Sequence, residues 1–205
     1  MNTLKPEKQK QVLAALVEGN SIRATCRIAG TAKGTVLKLL AQIGKTCAEY
    51  QDKAFRNLPC KRIQCDEIWA FCYAKEKNVP KHKKGTFGFG DTWTFTALCA
   101  DSKLVPSWRI GRRNLHNATL FMKDLASRLK NKVQLTTDGH KMYLDAVETT
   151  FGSEVDFSQL IKIYGSNPEN EVRYSPAECI GIKKIISKEI PIPSMFRQAM
   201  WKGRI

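Results

Sequence analysis

The segment that most constrains the fold is Lys61-Arg62-Ile63-Gln64-Cys65-Asp66-Glu67-Ile68-Trp69-Ala70-Phe71-Cys72. Ile63, Cys65, Glu67, Trp69 and Phe71 alternate with Gln64, Asp66, Ile68, Ala70 and Cys72, the two-residue period of a β-strand. Both faces are largely apolar, which predicts a central strand in a sheet covered on both sides. An acidic pair inside such a strand is costly unless its carboxylates meet a cation or another partner. The alternation alone leaves open whether Asp66 or Glu67 faces a cleft.

The sequence around this strand predicts the rest of a sheet. A basic, Gly-containing stretch, KEKNVPKHKKGTFGFG, reads as a loop. DTWTFTALCADS and KLVPSWRIGRR then read as two strands joined around Asp101-Ser102-Lys103, completing a three-stranded antiparallel meander. Asn117 is the expected cap of a helix over ATLFMKDLASRLK, with Leu120, Phe121, Leu125 and Leu129 as its buried stripe. VQLTTDGH gives a fourth strand ending at Asp138, KMYLDAVETTF a second helix and QLIKIYG a fifth strand. The order β-β-β-α-β-α-β makes this part of the chain α/β.

The first 60 residues follow a helical period instead. EKQKQVLAALVE pairs Val12 with Leu16 and Leu13 with Val17. Gly19-Asn20-Ser21 ends that helix and caps the next, in which Ile22, Cys26 and Ala29 share a face up to Gly30. Thr31 is the expected cap of a third helix with Val36, Leu40, Ile43 and Cys47 in its stripe. This is a helix-turn-helix pattern, and an ordinary three-helix bundle with a basic face fits the same residues. Asn57-Leu58-Pro59 marks the expected boundary, giving a helical domain over 1–58.

Charge narrows the partner. The chain of 205 residues carries 34 Lys and Arg against 19 Asp and Glu, a net +15 spread along its length. Residues 1–60 hold ten Lys/Arg and four Asp/Glu, a net +6 on the helical unit. A polyanion such as DNA is the natural partner, since such charge speeds encounter and makes affinity salt-dependent. No apolar run reaches the roughly 20 residues of a membrane span, and MNTLKPEKQKQ lacks a signal-peptide core, so a cytoplasmic location is expected. The seven cysteines form no C-x-x-C pair and read as reduced packing residues; a zinc site from Cys60, Cys65 and His82 is the weaker alternative.

Asp66 in mid-strand and Asp138 at the end of the fourth strand would meet if those strands are neighbours. Taken alone, an Asp before Gly reads as a turn residue. Taken together, two adjacent carboxylates repel, and divalent cations with a preference for hard oxygen ligands, Mg2+ or Mn2+, are the simplest stabilisation. Two such ions about 4 Å apart support in-line displacement at phosphorus, which is phosphodiester chemistry.

Gln64-Cys65-Asp66-Glu67-Ile68-Trp69, Asp91-Thr92-Trp93-Thr94, Val105-Pro106-Ser107-Trp108, Thr136-Thr137-Asp138-Gly139-His140 and Tyr174 to Cys179 together resemble the D-D-E transposases of short bacterial insertion sequences. The resemblance covers residues from about 1 to 184. It implies an N-terminal helix-turn-helix followed by a ribonuclease-H-like mixed-sheet domain over 59–184 that lacks its last helices. Asp66 and Asp138 become the first two catalytic, metal-binding carboxylates, with Mg2+ or Mn2+ as cofactor and Glu67 a mere neighbour. Arg23, Arg27, Lys33, Thr35 and Lys38 become the DNA-binding residues, reading terminal inverted repeats and target in double-stranded DNA. The resemblance also implies a homo-oligomer bridging two DNA ends in the bacterial nucleoid.

The family's third carboxylate is a glutamate in a Tyr-Val-Glu-Arg-Gln-Asn segment expected after Lys183-Lys184; residues 185–205 contain no such segment. Met200-Trp201-Lys202 must be encoded ATG-TGG-AAR, which read one base earlier contains GTG-GAA, Val-Glu. The expectation is therefore a shifted frame near 185–189, an aberrant tail over 185–205 and a copy impaired in catalysis. The alternatives are a final acid drawn from Glu169, Glu171, Glu178 or Glu189, and a non-catalytic DNA-binding remnant that inhibits an intact transposase.

Overall fold

The structure, a computed structural model, describes residues 4–165 and 179–186. The chain divides into two compact units, Met1–Phe55 and Arg56–Ile205, so the division falls just before the expected Asn57-Leu58-Pro59 boundary.

The first unit is three helices: α1 (Pro6–Val17), α2 (Ile22–Ala29) and α3 (Lys33–Ala54). Its core is small, built from Val12, Ala29, Val36 and Leu39 with Leu4, Leu16, Ile22, Cys26 and Ile43 against it. Ser21 caps α2 by accepting from the Ala24 amide at 3.2 Å, and Gly30 closes the helix in the left-handed region at φ 55°. Two readings of α3 are corrected. Ala32, not Thr31, is its N-cap; the Thr31 hydroxyl donates to the Ala29 carbonyl. The buried stripe is Val36, Leu39 and the partly buried Ile43, whereas Leu40 and Cys47 are exposed. Both i+3 and i+4 steps are close to one helical turn, and only the partner helices decide which is inward. Val17 likewise is 84% exposed despite its pairing with Leu13.

The second unit is an α/β fold on one six-stranded mixed sheet: β1 (Arg62–Cys72), β2 (Gly90–Cys99), β3 (Ser107–Gly111), β4 (Val133–Asp138), β5 (Val155–Tyr164) and β6 (Cys179–Ile186). α4 (Leu115–Arg128) and α5 (Met142–Phe151) complete it. The strand order is β3-β2-β1-β4-β5-β6, with β1, β4 and β5 parallel and the other neighbouring pairs antiparallel. The β1-β2-β3 meander is as the turn at Asp101-Ser102-Lys103 predicts. β6 was not anticipated, and it runs through Ile186, two residues beyond the expected end of the domain. Glu169, Glu171, Glu178, Glu189 and most of the expected tail lie outside the described residues.

One face of the sheet carries the core. Ile63, Cys65, Phe95, Ala97, Leu135, Val133, Val155 and Phe157 meet Ala118, Phe121, Met122 and Leu125 of α4 and Met142, Tyr143, Ala146 and Val147 of α5. Here α4 departs from expectation: its cap is Asn114, accepting from the Asn117 amide at 3.0 Å, and its stripe includes Ala118 and Met122 rather than Leu120. Cys60, Cys65 and Cys99 are buried packing residues, and burial pushes the Cys60 thiol up to about 12. His82 is exposed on a short 3-10 turn, away from the buried cysteines. The expectation that β1 is covered on both faces fails: on the face away from the core Arg62 and Gln64 are half-buried and Asp66 and Ile68 exposed, and beyond Glu67 the core face opens as well at Trp69 and Phe71. The pattern sees that a strand is apolar, not how far the neighbouring elements reach along it. No helix among the described residues is long and apolar enough to cross a membrane.

Candidate metal and phosphodiester site

The β1–β4 register brings the two aspartates together. Gln64 pairs with Thr136, so Asp66 and Asp138, each two residues further on, are laterally adjacent on parallel neighbours. Their ligand atoms and one from Glu67 all lie within 4.8 Å of one another, and no other such acidic, His or Cys group occurs among the described residues.

Asp138 sits where β4 ends and the chain turns. Its Oδ1 accepts from the His140 amide at 3.1 Å, while His140 Nδ1 accepts from the Met142 amide and starts α5. Gln159 on β5 donates to the Asp138 and His140 carbonyls at 3.1 and 3.0 Å, locking the turn to the sheet. Gly139 is required by space: a Cβ there would stand 2.7 Å from Ile161 Cγ1. Asp138 thus holds the turn through Oδ1, while its Oδ2 accepts from Arg113 Nη2 beside the other acidic side chains.

Glu67 is the residue the resemblance set aside. Its side chain is 1% exposed, and Arg113 Nη2 bridges its Oε2 and Asp138 Oδ2 at 2.9 Å each. Glu67 Oε1 and the neighbouring Tyr143 hydroxyl are both buried and interact with each other more loosely than a well-formed hydrogen bond requires. Burial, aided by the Asp138 charge, pushes the Glu67 carboxyl above its usual range against the opposing pull of Tyr143 and Arg113. Asp66 is exposed, and its Oδ1 accepts from the Glu67 amide at 2.8 Å.

Arg113 and Tyr143 had no signal in the sequence, and Trp93, whose ring lies under the Arg113 guanidinium at 4.7 Å, entered it only within the Asp91-Thr92-Trp93-Thr94 motif. Arg113 lies between β3 and α4 and Tyr143 on α5, so neither has a sequence spacing to the carboxylates that could have marked it. The sequence matches no protein-family model, and no curated protein matches it.

In the first unit, α2 and α3 are joined by the three residues 30–32. Arg23, Arg27, Lys33 and Lys38 are exposed and Thr35 is half-buried. None of the four cations is in an ion pair among the described residues.

Proposed function

We propose that this chain is a D-D-E-type transposase that binds double-stranded DNA and cleaves and transfers strands with Mg2+ or Mn2+. The observation that carries the reading is the gathering of Asp66, Glu67 and Asp138, with one ligand atom of each within 4.8 Å of the others. Three hard oxygen donors in that space repel one another and suit a divalent cation better than they suit each other. The sheet order, with β1 flanked by antiparallel β2 and parallel β4, supports a ribonuclease-H-like domain. The short Gly-containing link between α2 and α3 supports a helix-turn-helix.

On this reading Asp66, Asp138 and Glu67 would hold the cation, and Arg113 keeps two of them from splaying. A bound divalent cation would neutralise the scissile phosphate and activate the attacking hydroxyl. The chain's own part is to fix three carboxylates on rigid strands and to seat DNA through Arg23, Arg27, Lys33, Thr35 and Lys38. Multimer formation and location in the nucleoid belong to the same proposal.

A strand-cleavage assay on DNA bearing the element's terminal repeats, run with Mg2+ and then with EDTA, tests it. Cleavage should need the metal, and Asp66→Asn or Asp138→Asn should lower the rate by about a hundredfold or more. Cleavage that survives both substitutions would refute the site. One observation favours a second reading, a DNA-binding protein without catalysis: Arg113 already pairs with Glu67 and Asp138 where a cation would sit. That reading predicts terminal-repeat binding with no cleavage and no stabilisation by Mg2+.

A further inference from the structure

The first two strands outrun the sheet. β1 pairs with β4 only to Gln64, and β2 pairs with β3 only from Trp93 onward, yet β1 and β2 stay paired to Cys72 and Gly90. Residues 70–72 and 90–92 are thus a two-stranded ribbon, joined by residues 73–89, with the Trp69–Trp93 pair at its base. A ribbon with no third strand has little core to bury apolar side chains in.

Its side chains are nonetheless aromatic. Trp69 is 40% exposed, Phe71 47%, Tyr73 64% and Phe87 at the loop tip 101%. Trp69 and Phe71 share one face at 5.7 Å, with Trp93 directly opposite Trp69. Tyr73, where the chain turns at φ 66°, packs edge-on to Phe89 at 5.1 Å. Lysines are interleaved with these rings: Lys75 lies 5.1 Å from the Trp69 ring centre, and Lys83 lies 4.9 Å from that of Tyr73 and 5.0 Å from that of Phe89. Lys77, Lys81 and Lys84 add to the positive field. Glu76, the acid among residues 73–90, is taken up at the ribbon's base, where it exchanges hydrogen bonds with Asp91. The segment is further held by the buried Val79.

Exposed aromatic side chains interleaved with lysines match the chemistry of an unpaired nucleic-acid strand, whose bases stack and whose phosphates draw the lysines off the rings. A duplex offers the phosphates but hides the base faces. An apolar protein groove would use the rings but not the five lysines around them. The row also has a direction. Glu67 precedes Trp69 on the same face, and Trp93 lies under the arginine that bridges Glu67 and Asp138. At about 3.3 Å per residue, the row from Glu67 to Phe71 is about 13 Å long, and Tyr73 continues beyond it where the chain turns.

We propose that the β1–β2 ribbon is a stacking platform for an unpaired DNA strand, leading it to the carboxylate group. The choice of DNA rests on the function proposed above; the stacking does not.

The test is fluorescence anisotropy with the full chain in EDTA, using labelled oligo-dT of about 20 nucleotides and an abasic strand of equal length and charge. Oligo-dT should bind about five-fold tighter or more than the abasic strand, a comparison that needs no variant. Trp69→Ala with Phe71→Ala should lower oligo-dT affinity about tenfold and affinity for the abasic strand and for duplex less than about twofold. Trp69→Phe should retain most of it. Equal binding of the dT and abasic strands, or equal loss for all three probes, would overturn the platform. Oligo-rU binding as tightly as oligo-dT would overturn the choice of DNA. Failure of Mg2+-dependent cleavage would leave these ratios unchanged, so the two proposals fail separately.

Discussion

At the scale of single residues, Glu67 carries opposing demands. Its carboxyl is raised by burial, so ionising it opposes folding. The stabilising contribution of the protonated form is complete below the ordinary glutamate range and is lost as pH rises through the raised folded value. Metal-free protein should therefore lose stability across that window, and Glu67→Gln should flatten the loss. Thermal melts in EDTA at stepped pH check this, the wild type losing more melting temperature across the window than the variant. Mg2+ should reverse the order: at a hundred times its dissociation constant a ligand adds about 2.7 kcal/mol to the folded state, and Glu67→Gln should forfeit most of it. A variant that melts like the wild type with and without metal would remove Glu67 from the site.

Between elements, the strongest tie is Asp124 on α4. It accepts from Arg128 Nε and Nη2 at 2.9 Å each, and from the Ser107 hydroxyl on β3. These bonds hold its carboxyl below the usual range although its partial burial acts the other way. Ser107 is buried and the Arg128 side chain is 9% exposed, so losing the carboxylate leaves polar groups stranded. Asp124→Asn should cost about 1.5–3 kcal/mol in urea unfolding, and the wild type should lose that increment as pH falls through the depressed value. The sequence shows Asp124 and Arg128 one turn apart and so implies an exposed helix pair worth a few tenths of a kcal/mol. The contact with Ser107 and the burial of Arg128 raise its weight, and neither is visible in a spacing.

For the whole molecule, the net charge of +15 predicts a steep fall of DNA affinity with salt. If the exposed cations of α2 and α3 contact phosphates, Arg23→Gln, Arg27→Gln, Lys33→Gln and Lys38→Gln should each lower the slope of log K against log salt by about one. Unchanged slopes across all four would move the duplex contact elsewhere on the chain. These changes should leave the effect of Mg2+ on melting intact, because the four cations and the carboxylate group belong to separate compact units.

By itself the sequence determined the α/β class, the three N-terminal helices, the antiparallel meander and the strands bearing Asp66 and Asp138. These follow from period and turn chemistry, which are local. It did not determine the inward face of α3, where neighbouring rows of a helix differ by a single residue step. Nor could it show that β1 outruns its sheet and bares Trp69 and Phe71. The closeness of Asp66 and Asp138 was conditional on β1 and β4 being neighbours, and that adjacency was decided only by the fold. Arg113, Tyr143 and the inward turn of Glu67 likewise needed tertiary structure, since residues on separate elements meet through packing and no interval along the chain encodes their distance.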